Sequence, residues 1–252
     1  MTRRGIVTLT TDFGLSDFYV AAMKAVLLRH NPNVTLIDIT HNIPRHDILC
    51  GSVTLERAID GFPPGTIHLA VVDPGVGTNR RLLIVRIKKS TVILPDNGLI
   101  TWAWHRHPPA TIRQITWTPP QPSATFHGRD ILAPVAAMIA AGRAIPNLSR
   151  PTFAPTLLDI KPAQTPRGQI IQIDHFGNAT TNIPVDLVRS NRRKSIRLST
   201  RKIGPLHRTY ADVPPGHPLA LINSSGLLEI AVRDGSAAKK LHLRIGDKVE
   251  LR

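Results

Sequence analysis

Residues 66–77 read TIHLAVVDPGVG. The apolar run is almost unbroken and stops at an aspartate followed by Pro-Gly. A strand that is apolar at successive positions, not alternate ones, is covered on both faces, as inner strands of parallel sheets are. The flanking segments support this reading. Upstream, GIVTLTTD (5–12) and VTLIDI (34–39) have strand composition. Between them Tyr19, Val20, Met23 and Leu27 recur at helical spacing, with Ser16 expected to cap the helix. His46 to Ile59 is predicted to be a second helix. Downstream, LLIVRI and TVILPDNG read as strands close enough to pair, and ILAPVAAMIAAG (131–142) as a helix with a glycine stop. Strands alternating with helices predict an α/β, Rossmann-like layer with a mostly parallel sheet over residues 1–145.

The pattern then changes. Residues 146–167 are rich in proline and are expected to be a linker. Over residues 168–252 short β-like segments recur between turns: QIIQID, SIRLST, HRTYAD, LALINSS, LLEIAV and KVELR. They predict a C-terminal all-β barrel domain.

Composition narrows the function classes. A chain of 252 residues, 42% of them hydrophobic, is long enough to bury real cores. No apolar run reaches the ~18–20 residues of a membrane span. The N-terminal apolar run ends at Asp12 without a small-residue cleavage site, so a cytoplasmic protein is expected. A single cysteine, Cys50, excludes an internal disulfide and any multi-cysteine metal site within one chain. The net charge is +15, with a dense run from Arg189 to Lys202, RSNRRKSIRLSTRK. Such runs between strands are mostly solvated hairpins. A nucleic-acid-binding role is the alternative, but three Trp, two Tyr and six Phe are few for stacking bases, and no known binding motif occurs.

Against this basic background the 17 acids stand out. Asp12 and Asp73 end apolar strands beside glycines. Ligands of open α/β sheets bind beyond the carboxyl ends of strands, where a carboxylate can accept hydrogen bonds from ribose hydroxyls. The competing role for each is a cap or turn aspartate. Asp12-Phe13-Gly14 looks like the kinase metal-binding triplet, yet no Gly-rich loop, strand lysine or catalytic loop precedes it. Gly75-Val76-Gly77 lacks the third glycine of a dinucleotide fingerprint, and no phosphate-binding GxxxxGK occurs. The histidines do not pair at metal-ligand spacing, and His105 and His107 are expected at the surface. His127, just before a helix, can be structural or can handle a proton near neutral pH. Asp174–Asn182 and Asn223–Ala231 are polar clusters at strand ends, suited to turns or to a polar small molecule.

Taken in order, TTDFGLSDFYVAAMK, VVDPGVGTNRR, LPDNGL, TFHGRDILAPVAA, IDHFGNATTNI and INSSGLLEIA resemble the S-adenosylmethionine hydroxide adenosyltransferases, relatives of the fluorinating and chlorinating enzymes that use the same substrate. The resemblance covers nearly the whole chain. It implies an α/β domain followed by a β-barrel, S-adenosylmethionine as substrate, no cofactor and no metal. It also implies a homotrimer whose sites form where one subunit's first domain meets a neighbour's second. The hydroxide branch is marked by an Asp–Arg–His set, matched here by Asp73, Arg80 and His127. Halogenating relatives have a tyrosine at the Asp73 position and lack the histidine. By the same match Asp12 should hold the ribose hydroxyls. Asn178, Ser224, Glu229 and Val232 should line the adenosine pocket, and Asp174 and Asp17 should face the methionine amine. The halogenating relatives carry an arginine where Ser225 stands, so backbone amides are the simplest holders of the methionine carboxylate. A sulfonium is already an activated leaving group, so the enzyme's task is to place and polarise one water opposite sulfur.

Overall fold

The computed structural model describes residues 5–144, 146–190, 195–198 and 201–252. The chain divides into two compact units, Met1–Ile160 and Lys161–Arg252.

In the first unit the elements run β1 (Ile6–Thr11), α1 (Tyr19–His30), β2 (Thr35–Thr40), α2 (Ile48–Gly61), β3 (Ile67–Val71), β4 (Leu82–Ile87), β5 (Ser90–Pro95), α3 (Thr101–Arg106), β6 (Pro109–Ile115), α4 (Ala133–Ala140) and β7 (Ser149–Pro151). The sheet order is β2-β1-β3-β5-β4-β6-β7. β2, β1, β3 and β5 are parallel. β4, β6 and β7 are antiparallel additions, so the sheet is mixed beyond its parallel block. The reason is local: only Lys88 and Lys89 separate β4 from β5, and Lys88 takes a φ of 51°. Two residues can join antiparallel strands but never parallel ones.

Period-two packing explains the unbroken apolar run of β3. Leu69 and Val71 join one core with Met23 and Leu27 of α1 and Val135 and Ala136 of α4. Ala70 and Val72 point the other way, into a core with Leu55 and Ile59 of α2 and Ala103 of α3. Full burial of one such Leu or Ile side chain contributes about 1.5–3 kcal/mol.

Two helix starts differ from expectation. Helix α1 begins at Tyr19, and Ser16 does not cap it; Gly14, with φ 68°, instead donates its N–H to His41 O at 2.8 Å and bends the chain away. Helix α2 begins at Ile48, capped by Asp47, whose carboxylate accepts from Cys50 N at 2.9 Å.

The proline-rich stretch is built into the first unit as far as Ile160. β7 pairs with β6, with Pro151 opposite Arg113. An edge strand tolerates proline because one side of it needs no ladder donor. Beyond it, Thr156 N donates to Asp96 at 2.7 Å, and Arg81 donates to Ala154 O at 2.9 Å.

The second unit runs β8 (Arg167–Ile173), β9 (Ala179–Pro184), α5 (Val185–Ser190), β10 (Ile196–Leu198), β11 (Arg201–Gly204), β12 (Pro218–Ile222), β13 (Leu227–Val232), α6 (Ala237–Leu241) and β14 (Lys248–Leu251). The antiparallel order is β11-β10-β14-β8-β9-β13-β12. Just past β11, His207 N donates to Ala220 O of β12 at 2.8 Å, which brings the two edges together into a nearly closed barrel. HRTYAD, read as a strand, is a turn instead: the Asp212 carboxylate accepts from Arg208 N and Thr209 N at 2.9 and 3.2 Å and curls the chain. Within the basic run, residues 191–194 and 199–200 lie outside the described residues.

Candidate active site

Parallel β1 and β3 are neighbours, with Thr11 opposite Val71, and from β1 the chain crosses to β2 on one side and then to β3 on the other. That reversal opens a crevice beyond their carboxyl ends. Asp12 follows β1 into it and Asp73 follows β3.

The loop after Asp73 turns twice, through Val76 N to Asp73 O at 3.2 Å and Thr78 N to Gly75 O at 3.1 Å. Gly77 adopts φ 85°, where a Cβ would stand 3.0 Å from Ala124 O. Only glycine enters this conformation without strain. The turns fold Arg80 back onto Asp73. Its Nε donates to both carboxylate oxygens, at 2.7 and 2.8 Å, and Nη2 makes a further short ion-pair contact with Oδ2. The two side chains are 7% and 6% exposed, so the pair is shielded from solvent. Asn97 supports it from behind, donating Nδ2 to Val72 O at 2.8 Å.

His127 stands at the head of a π-helical turn, Gly128–Leu132, that runs into α4. Such turns recur at functional sites. Asp130 ties the preceding loop down by accepting from Ser123 N at 2.7 Å. Nη1 and Nη2 of Arg80 each lie 3.3 Å from His127 Nδ1. Arginine has only donors, so Nδ1 accepts and the ring proton of the neutral form sits on Nε2. Burial, and then the Arg80 charge, hold the His127 pKa below its ordinary value. The ring is therefore neutral at pH 7.

Asp73, His127, Phe13, Tyr19, Val76 and Phe126 line a cavity of about 210 Å³. Its aromatic wall is self-packed: Tyr19 and Phe13 approach Phe126 edge-on at 5.3 and 5.9 Å. Leu15 and Phe18, 68% and 62% exposed, lie in the segment between Gly14 and Tyr19. Asp12 faces its own turn, accepting from His46 N at 3.0 Å, and Asp17 is exposed.

In the second unit, Asp174 and Asn178 close the β8–β9 turn, with Asn178 N donating to Asp174 Oδ1 at 2.9 Å. Gly177 between them has φ 85°, and a Cβ there would meet Ser236 Oγ at 2.0 Å. Glu229 is buried, and its carboxylate is held by Tyr210 OH at 2.7 Å and Asn223 Nδ2 at 3.3 Å. Ser224 is exposed at the β12–β13 turn. Val232 packs into the barrel core.

A profile for the SAM hydroxide adenosyltransferase N-terminal domain matches residues 7–149, and one for the C-terminal domain of that family matches residues 168–250. The chain belongs to this family. Proteins named (R)-S-adenosyl-L-methionine hydrolase from Thermus thermophilus and Salinispora tropica are 39% and 35% identical to it. The alignments cover 97% of this chain with each, and 98% and 97% of those relatives. A solved structure of a conserved Thermotoga maritima protein superposes with a TM-score of 0.89 at 36% identity, covering 97% of this chain and 98% of that one. Fluorinases align over nearly their full length at lower identity.

The structure thus brings Asp73, Arg80 and His127 of this family member into one network, sets Asp12 just past the end of the neighbouring strand, and groups Asp174 with Asn178. Three wall residues, Phe13, Tyr19 and Phe126, escaped sequence reasoning, because a strand end, helical spacing and a loop before a helix account for them one by one. Another cluster lies elsewhere: ligand-type atoms of Glu56, Asp60 and His107 fall within 4.8 Å of one another. His107, expected at the surface, is 18% exposed and 2.9 Å from Asp60. Arg106 and Lys88 already balance the two carboxylates, at 3.0 and 2.6 Å, so a metal ion would have to displace cations there.

Proposed function

We propose that this chain hydrolyses (R)-S-adenosyl-L-methionine to adenosine and L-methionine, with water attacking the ribose 5′-carbon opposite the sulfonium. The observation that carries the reading is the shielded Asp73–Arg80–His127 network beyond the carboxyl end of β3, in a chain that matches both domains of the family.

Water oxygen forms a bond to the 5′-carbon while the carbon–sulfur bond breaks. The electron pair moves onto sulfur, and neutral methionine departs. The leaving group needs no metal or cofactor, because the positive sulfur already accepts the pair. Arg80 stabilises negative charge developing on the attacking oxygen, in a site shielded from bulk water. Both Asp73 oxygens are committed to the guanidinium, so Asp73 orients Arg80. The lone pair on His127 Nδ1 is held by two long contacts, 3.3 Å each, which a water can replace. His127 is then the proton acceptor, a role that supplies roughly 10²–10⁴ in rate.

Asp12 takes the ribose hydroxyls, and Asp174, Asn178, Ser224 and the Val232 backbone, from a neighbouring copy, take the rest of the substrate in a homotrimer. Two observations support an assembled site: the cavity of about 210 Å³ is below the roughly 300 Å³ at which small-molecule clefts begin, and Leu15 and Phe18 are exposed beside its wall. Sedimentation should give about three times the chain mass of 27.6 kDa.

The test is chromatography of the protein with (R)-S-adenosyl-L-methionine in water enriched in heavy oxygen. The label is expected in the adenosine 5′-hydroxyl; unlabelled adenosine would reject water as the nucleophile. Formation of 5′-chloro-adenosine in added chloride would favour a halide-using enzyme instead.

A further inference from the structure

The Asp12 turn is fixed by the segment that follows β2, and the fixing runs through one buried histidine. His41 is 3% exposed. Its Nδ1 lies 2.8 Å from Thr11 Oγ1, and its Nε2 lies 3.0 Å from Asp38 Oδ1. Asp38 is itself held by Lys24 Nζ at 2.5 Å. Burial acts to raise the Asp38 carboxyl, and the neighbouring Lys24 and His41 outweigh it, leaving the carboxyl below the usual range.

The contacts have one polarity. A carboxylate beside Nε2 favours the tautomer with the proton there, so Nδ1 accepts from the Thr11 hydroxyl. The same hydroxyl oxygen accepts from Phe13 N at 3.3 Å. The backbone closes around this chain of contacts. Gly14 N donates to His41 O at 2.8 Å, Ile43 N donates to Thr11 O at 3.3 Å, and His46 N donates to Asp12 Oδ2 at 3.0 Å. Asp12 is thus bracketed: Thr11 before it and Phe13 after it both bond through the hydroxyl that His41 orients.

We infer that His41, oriented by Asp38, is a positioning residue for the reaction, acting through Thr11 to present the Asp12 carboxylate to the ribose. This rests on the function proposed above, in which Asp12 holds the ribose hydroxyls. None of His41, Asp38 and Thr11 touches the reacting atoms in that scheme. Their effect therefore falls on nucleoside binding more than on the bond-breaking step.

A thermodynamic cycle on product binding tests it. Adenosine affinity is measured by calorimetry for the full chain, for His41→Phe, for Thr11→Val and for Asp12→Ala, and for each of the first two combined with Asp12→Ala. Thr11→Val keeps the volume of a fully buried side chain and removes the hydroxyl, so it guards against misfolding of the histidine variant. Each relay variant is expected to weaken adenosine binding about tenfold alone and to add little once Asp12 is gone, since residues acting through one contact are non-additive. Thr11→Ser, which keeps the hydroxyl, should restore affinity. In turnover the loss should appear in KM, with kcat within about threefold of the parent. Equal losses in the presence and absence of Asp12 would mean that His41 only stabilises the fold, and unchanged affinity would remove it altogether. If the unaltered protein forms no adenosine from S-adenosylmethionine, the functional reading fails first and the inference falls with it.

Discussion

Both terminal nitrogens of Arg80 sit 3.3 Å from Nδ1 of His127. A guanidinium cannot accept, so this contact exists only while the ring is neutral, and it opposes protonation of the histidine. Burial works in the same direction and is the larger cause.

The first prediction concerns pH. His127 must be neutral to take a proton, and its pKa lies below the ordinary 6.5. The acid limb of turnover should therefore lie below the ordinary histidine value. Arg80→Gln removes a charge that depresses this pKa, so its acid limb should move upward. A parent limb at or above the ordinary histidine value would remove His127 as the base.

The second concerns the ion pair. Asp73→Ala leaves the Arg80 guanidinium buried without its partner, which costs about 3–5 kcal/mol in stability. Asp73→Ala with Arg80→Gln should recover part of that loss, because no charge is stranded. Urea denaturation of the parent and the two variants measures it. Equal losses in the single and double variants would contradict the shielded pair.

The third concerns the loop that folds Arg80 back. Gly77→Ala forces a Cβ into the left-handed region, 3.0 Å from Ala124 O. A strain of about 1–3 kcal/mol is expected. Displacing Arg80 should lower kcat at least tenfold, read from steady-state rates of adenosine formation.

The fourth lies far from the chemistry. His68 is 1% exposed, bonds Thr8 through Nδ1 at 2.9 Å, and has its pKa pushed down to about 4 by burial. Between that value and 6.5 the unfolded chain binds the proton and the folded chain does not. Stability is then complete above pH 6.5 and falls as pH drops towards 4, by about 3 kcal/mol in all. His68→Gln should flatten this slope when urea midpoints are compared between pH 7 and 4.5. An unchanged slope would mean that other groups drive the acid loss.

Much of the fold was legible because it rests on local periodicity. The unbroken run of β3 announced burial on both faces, and the alternation of strands and helices announced an α/β layer. Asp12 and Asp73 were readable as site candidates because each ends an apolar strand beside glycine. Arg80 and His127 came only through the family resemblance and a helix start, since neither carries a local pattern that fixes its partner.

What the chain order could not decide was decided by closure of the tertiary structure. Residues 73, 80 and 127 meet because the turn at Gly77 reverses the loop and the π-helical turn delivers His127 to the same crevice. The proline-rich stretch became an edge strand and strap because β6 offered free ladder groups and Asp96 a free oxygen. The relay from Asp38 through His41 to Thr11 joins residues that sequence reads as strand ends and a loop. Its existence depends on strand register, a property of neighbours in space that no stretch of chain encodes alone.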